Sequence, residues 1–417
     1  MYWFVTVCAV LLGTVSADEI SKGEVAPSSS EALLATILTI YKDAALVKTR
    51  YPLSLEAGCH SYFLKGIAGT ISPNTLMLTL HSNSKSASIK EYALKGSERK
   101  ESGSPTQSDK ILELNIHTKT ADCHTQVDLL YLFKNLGWRI DYTMQFSPTY
   151  NSLDLNGWIE IVNQSGVAFP NATIQLVDSS PALNLDNIDA SGVPSASLKA
   201  PFYSISGTVN LDKDSVKKIN WVTAQSIQGQ LHYRLFIGGD FLEDMNNKRA
   251  KPSIETWVTF VNTQKQGLGL PLPTGRATLY YRSKQNILES LGTVIIPHTN
   301  VDQELSVRLP LAAHNTGQGN NEDELRRILA VETELEQTEF KKLSDKITEA
   351  NYRLSLKNKS DQPISLQVVL DLPVAECKIV KENRTHVVDS PQQISWPIDI
   401  PAQSEVDLKY RLQIDQN

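Results

Sequence analysis

Two Cys-His dipeptides, Cys59-His60 and Cys123-His124, are the residues best suited by type to hold a metal, since two thiolates and two imidazoles make a valid tetrahedral zinc set. Their placement argues against it. Each dipeptide lies in text that reads as a strand, where adjacent side chains leave opposite faces and cannot both reach one ion. Asp186, Asp189, Asp212 and Asp214 lack the ligand spacing of a calcium loop and read as solvated turn carboxylates. Gly267-Leu268-Gly269 precedes Leu-Pro-Leu-Pro rather than a helix, so it reads as a turn at a strand edge, not a phosphate cradle. Neither a metal nor a cofactor is expected.

Hydrolytic signatures are missing as well: the chain contains no Gly-x-Ser-x-Gly and no His-Glu-x-x-His. Two polar residues stand out by context, Arg276 after Pro-Thr-Gly and His298 within Ile-Pro-His-Thr. Each could contact a ligand or anchor a turn by hydrogen bonds. Trp138, Trp158 and Trp257 could stack on a sugar ring, or plug the core beside strand residues. Four Asn-x-Ser/Thr sequons begin at Asn163, Asn171, Asn358 and Asn383, and they matter only in a eukaryotic secretory pathway.

The elements that must carry these residues are β-strands. Short apolar segments at 36–45, 53–55, 62–67 and 75–80 are broken by Pro52, Gly58, Gly69 and Pro73-Asn74, and strand patterning resumes from Val127 to Val177. No long amphipathic helix interrupts them. The stretch Glu322–Leu343 fits helix and strand periods equally. Polar runs at 96–110 and 180–200 read as long loops, the places to seek partner contacts. Trp158–Asn163, Trp257–Asn262 and Tyr352–Asn358 each run from an aromatic residue through apolar ones to Asn, at a spacing that suits sandwich modules of ~100 residues. True repetition and convergent strand ends both account for it. Asn is a natural strand terminator, tolerating the left-handed region and bonding local backbone.

The first residues address the compartment. Trp3–Leu12 is apolar and Val15-Ser16-Ala17 offers a peptidase site, so residues 1–17 are expected to be a secretory signal, against a retained anchor as the alternative. A flexible lead-in over 18–30, an N-terminal β domain over 31–118 and a main all-β region over 119–417, of two or more sandwich modules, follow. No membrane span is expected after the signal. With 40 basic and 46 acidic residues and no basic cluster, nucleic acid is not a fitting partner. Removing Cys8 leaves three cysteines, and an oxidising compartment allows one bridge, for which Cys59–Cys123 is the pairing expected, with no bridge as the equal alternative.

The run Asn135–Gly166, with its two Gly-Trp corners, closely resembles a family of secreted bacterial proteins defined by domain of unknown function 4139, some members of which are labelled mucoidy-inhibitor-like. Asp43–Val47, Leu53–Gly58, Leu64–Ile67 and Pro73–Leu76 look like the family's N-terminal segment. Gly267–Gly275, Leu291-Gly292 and Ile296–Thr299 are similar to its central motifs, and Tyr352–Asn358, Pro363 and Trp396–Tyr410 to its closing strands. The likeness covers residues 32–414. It implies strands over 327–341 and an all-β fold of antiparallel sandwiches, with little or no helix outside the signal. The chain departs from some relatives in lacking a coiled-coil insertion and in carrying Asn300 where Pro often follows His-Thr. The family supplies no catalytic residues to carry over.

Together these readings predict an extracytoplasmic protein, secreted or periplasmic, that acts by binding an envelope component, glycan or protein. A hydrolase acting on an envelope polymer and a structural or assembly protein are the alternatives. A pocket joining His298, Arg276 and a carboxylate would favour the enzyme, and an exposed apolar patch or open edge strand the assembly role.

Overall fold

The computed structural model describes residues 35–83, 87–96, 109–179, 200–238, 241, 249–282, 286–310, 330–344, 346–372 and 376–415, excluding the side chains of Cys123, His124 and Glu376. The expected signal and lead-in, most of the two polar loops and residues 322–329 lie outside them. Among the described residues the elements are strands, joined by short 3-10 turns such as Pro73–Thr75 and Gln264–Gln266. The fold is all-β.

The chain divides into two compact units, one holding residues through Trp138 together with Ile161–Lys217, the other Arg139–Glu160 and Lys218 onward. The boundary expected at 118/119 therefore falls inside the first unit. Pairing between distant segments is the reason: Asp122–Lys134 lies antiparallel along Ala44–Leu55, and Phe169–Val177 lies parallel to Ala35–Ile40. The main sheet of this unit runs Phe202–Ser204, Phe169–Val177, Ala35–Ile40, Ala44–Leu55, Asp122–Lys134, Met77–His81, with Val209–Leu211 also on Phe169–Val177. A smaller sheet has Lys110–Thr118 between Gly58–Ile67 and Ser88–Gly96. Its middle strand alternates strictly, burying Leu112, Leu114 and Ile116 on one face.

In the second unit, a sandwich is formed by two sheets. One runs Glu304–Leu309, Ile254–Val261, Gln230–Ile237, Ile364–Asp371, Gln393–Ile400, Val387–Ser390; the other runs Arg249–Ala250, Val331–Lys342, Ile347–Asn358, Ser404–Asp415, Glu376–Glu382. Leu235, Val368, Leu370 and Trp396 from the first meet Leu335, Tyr352, Leu354 and Leu408 from the second in one core. Within it the rings of Trp396, Tyr410 and Tyr352 stack at 5.1 and 5.2 Å between centroids. Val331–Lys342 is thus a strand, which resolves the helix-or-strand ambiguity there.

A further five-stranded sheet runs Ser215–Gln228, Ser152–Asn163, Leu136–Phe146, Gly275–Arg282, Leu288–Ile296. These sheets are not purely antiparallel. Leu136–Phe146 pairs in parallel with Gly275–Arg282, and Gln230–Ile237 with Ile364–Asp371, because long intervening segments allow the crossover.

Candidate functional site

The two Gly-Trp corners have opposite fates, set by strand parity. In Leu136–Phe146 the buried positions are Leu136, Trp138, Ile140, Tyr142, Met144 and Phe146, so Trp138 goes inward with them. Its Nε1 donates to the Val177 carbonyl at 3.1 Å, and the Lys42 ammonium sits 3.8 Å from its ring centroid. In Ser152–Asn163 the inward set is Leu153, Leu155, Gly157, Ile159 and Ile161, which leaves Trp158 outward and 44% exposed. Each glycine admits a neighbour. A Cβ on Gly137 would lie 2.3 Å from the Lys42 carbonyl oxygen, and one on Gly157 2.9 Å from the Tyr142 ring.

Trp158 and Arg276 come together on one open face. The Ser147 N–H donates to the Ser152 carbonyl, Arg139 pairs with Glu160, and Gly157 lies under the Tyr142 ring. All three contacts fit one hairpin register, in which Asp141 stands opposite Trp158. On its other side Asp141 is the parallel partner of Arg276, which in turn faces Ile295, 66% exposed. One row of the face is therefore Trp158, Asp141, Arg276, Ile295. By the same register the next is Asn156, Thr143, Thr278, Thr293, all short hydroxyls and an amide. Beside Trp158, Glu160 is buried and held by Arg139 and by Lys218 at 3.3 Å, while Arg139 also reaches Asp141 at 3.4 Å. The face is rich in paired donors and acceptors, with one large exposed ring.

His298 is placed elsewhere. Its Nε2 is 3.1 Å from Asn300 Oδ1, in a turn whose Thr299 and Asn300 carbonyls both accept from Asn262 Nδ2. Trp257 is half-buried, with Nε1 donating to Glu255 at 3.1 Å and the Arg234 guanidinium 5.2 Å over its ring. Cys59 carries an exposed free thiol whose Sγ is 3.2 Å from His117 Nδ1 across the small sheet. The other half of the expected Cys59–Cys123 bridge, like His124, has no described side chain. Asp186 and Asp189 also lie outside the described residues; Asp214 takes a left-handed turn at φ 50° and the Asp212 carbonyl closes it. Among the described residues no three His, Cys, Asp or Glu converge as a metal site would need. Gly267 and Gly269 adopt φ of 77° and 91°, as a turn requires, and the Gly269 N–H donates to Asn262 Oδ1.

The residues that sequence reasoning left as mere strand ends prove heavily bonded. Asn163, Asn262 and Asn358 are all buried. Asn163 Nδ2 donates to the carbonyls of Val167 and Asp212, and Asn358 Nδ2 to those of Gln362, Ile400 and Pro401. Asn262 Nδ2 also serves the Leu270 carbonyl, beside the two already given. In each case Oδ1 accepts from a backbone N–H, of Ser165, Gly269 or Ser360. The amide nitrogens of the sequons at Asn163 and Asn358 are thus consumed by the fold. The signal that could have found them was the repeated Asn at the close of an apolar strand.

Burial raises several tyrosines, among them Tyr51, Tyr131 and Tyr410, and ion pairing on sheet surfaces lowers carboxylates such as Asp128. Asp128 receives both Arg50 Nε at 2.6 Å and Nη2 at 2.9 Å, and His81 Nε2 lies 3.2 Å away. The Arg50 bonds outweigh burial and hold the Asp128 carboxyl below the usual carboxylate range, with His81 and Lys48 adding to it. Such fixed pairs position strands.

The family model for Domain of unknown function (DUF4139) matches residues 127–417. The chain belongs to this family. No curated protein matches it. The matched span begins within Asp122–Lys134 and takes in both Gly-Trp corners, the open face and the whole sandwich.

Proposed function

We propose that this protein is an extracytoplasmic binding module, and that it holds an envelope glycan on the open face around Trp158. The observation that carries the reading is the row Trp158, Asp141, Arg276. A pyranose ring presents an apolar C–H face that stacks on an exposed indole, and equatorial hydroxyls that suit the planar, paired acceptors of a carboxylate and donors of a guanidinium. The neighbouring Asn156, Thr143, Thr278 and Thr293 extend the same hydroxyl-matching chemistry along the strands. An extracytoplasmic location is supported by the apolar segment Trp3–Leu12 and the small residues after it; among the described residues no helix is long and apolar enough to cross a membrane.

The test is binding of the purified protein to an array of envelope polysaccharides, with Trp158→Ala and Arg276→Ala in parallel and a pull-down from envelope extract alongside. Retention of a glycan by the native chain and its loss in both variants is expected. Retention of a protein alone, or equal binding by all three chains, would overturn the reading.

A further inference from the structure

On the outer side of the sandwich sheet that contains Ile347–Asn358, a cleft of about 460 Å³ is lined by Arg353, Lys381, Lys409 and Arg411, with Asn351 and Glu382 among its other walls. Its size falls within the ~300–1,000 Å³ typical of small-molecule sites. Strand register brings the four cations together: Arg353 is the partner of Lys409 on Ser404–Asp415, and Arg411 is the partner of Lys381 on Glu376–Glu382. Like charges directly opposite on a sheet are destabilising, so the arrangement needs compensation.

The protein supplies only part of it. Asp407 is shared by Arg353 Nε at 3.0 Å and Lys409 Nζ at 3.3 Å, and Arg353 Nη2 lies 3.9 Å from Glu405. Burial pushes that carboxyl up, and the bonds from Arg353 and Lys409 more than offset it, leaving it below its ordinary value. Arg411 Nε donates to the neutral Asn351 Oδ1 at 2.7 Å, while its Nη1 is 3.8 Å from Glu349. Lys381 has no ion pair among the described residues. Glu382, the one carboxylate in the lining, is occupied elsewhere: it accepts from Trp396 Nε1 at 2.9 Å and lies 3.0 Å from His386 Nδ1. The cleft wall thus presents two guanidinium forks and two ammonium groups against a single carboxylate, the ion-pair partners of Arg353, Lys409 and Arg411 lying outside the lining.

We propose that this cleft binds an oxyanion group, a carboxylate or phosphate carried on a saccharide or similar polar ligand. Guanidinium groups match the two oxygens of a carboxylate or phosphate, and the two lysines serve as point charges beside them. The site is independent of the Trp158 face, which lies on another sheet.

Calorimetric titration of the full chain tests it with three probes: a galacturonic acid trimer for carboxylate, a glycerol phosphate trimer for phosphate, and a neutral maltotriose. At least one anionic probe is expected to bind and maltotriose not to. Affinity should fall as salt rises, and Lys381→Glu and Arg411→Gln should each weaken it by about tenfold. Thermal melting checks that both variants fold, and Trp158→Ala should leave this affinity unchanged. Response to one anionic probe alone identifies which oxyanion the cleft takes. Binding by neither anionic probe, equal binding of maltotriose, or unaltered affinity in folded Lys381→Glu would overturn the proposal.

Discussion

Ser360 Oγ donates a 2.7 Å hydrogen bond to Asn358 Oδ1, and Ser165 Oγ makes the same bond to Asn163 at the same distance. In both places the serine lies two residues past the asparagine, and its backbone N–H donates to the same oxygen. The hydroxyl then lies within reach of the carbonyl four residues past the asparagine, Gln362 at 2.9 Å and Val167 at 3.4 Å. A buried strand end leaves carbonyls with no ladder partner, and leaving them unbonded costs more than a bond gains. One amide side chain answers several of them at once. Asn262 does so without a serine, using Gly269 instead.

Replacing Asn358 by Ala is therefore expected to destabilise the chain by about 2–4 kcal/mol, since the carbonyls of Gln362, Ile400 and Pro401 each lose one donor at once. Asn358→Asp, nearly the same shape, should fare no better, because it sets a carboxylate against three carbonyl oxygens. Ser360→Ala removes one supporting bond and should cost about 1 kcal/mol. Urea unfolding of the three variants measures the order.

How much of this was legible depended on whether the information was local. The strand character of Trp138–Phe146 and Leu153–Val162 was written in their apolar residues, and parity separates the two tryptophans: Trp138 shares its phase with Ile140 and Tyr142, whereas Trp158 is out of phase with Ile159 and Ile161. The all-β class and the closing Asn pattern were visible for the same reason. The unit boundary was not, because it is fixed by Ala35–Ile40 pairing with Phe169–Val177, more than a hundred residues on. Nor was the cationic cleft, which needs Arg353 beside Lys409 across a ladder that no local period announces. Arg276 and His298 were singled out together, yet the structure seats Arg276 on an open face and His298 in a turn clamped by Asn262.

The two Gly-Trp corners make a paired prediction. Trp158→Ala exposes no core and should change stability by no more than about 1 kcal/mol, while weakening glycan retention by about tenfold or more. Trp138→Ala empties a buried site and frees the Val177 carbonyl, so a loss of about 3–5 kcal/mol is expected. Thermal melting and the polysaccharide array separate the two roles; equal stability losses would refute the assignment.

Gly137→Ala tests the close approach at the first corner. Its φ is unremarkable, so strain at the residue itself is not the issue. The new methyl would meet the Lys42 carbonyl oxygen at 2.3 Å, a backbone atom that cannot swing aside. Overpacking of that kind costs about 1–3 kcal/mol or more. Gly66→Ala, where nothing lies within 4 Å but φ is 78°, isolates the contrasting effect of a left-handed backbone. Chemical denaturation should rank Gly137→Ala as the more damaging.

Asp128 gives the fold a defined acid sensitivity. Its carboxylate is nearly enclosed and binds Arg50 through two bonds, with His81 and Lys48 on the remaining sides. Because the folded state holds its pKa below the unfolded value, protons bind the unfolded chain more readily as the solution is acidified. The stabilisation is complete above the ordinary carboxylate range and disappears as pH falls through that range toward the depressed folded value. Asp128→Asn cannot titrate there. At neutral pH it should be less stable than the native chain by more than the ~0.5 kcal/mol of an ordinary surface change. The gap should narrow steadily between about pH 5 and pH 2, as Asp128 in the unfolded chain takes up a proton that the folded state resists. Denaturation midpoints of both chains across that interval provide the check, and a gap that stays constant with pH would show that the Arg50 pair contributes packing rather than charge.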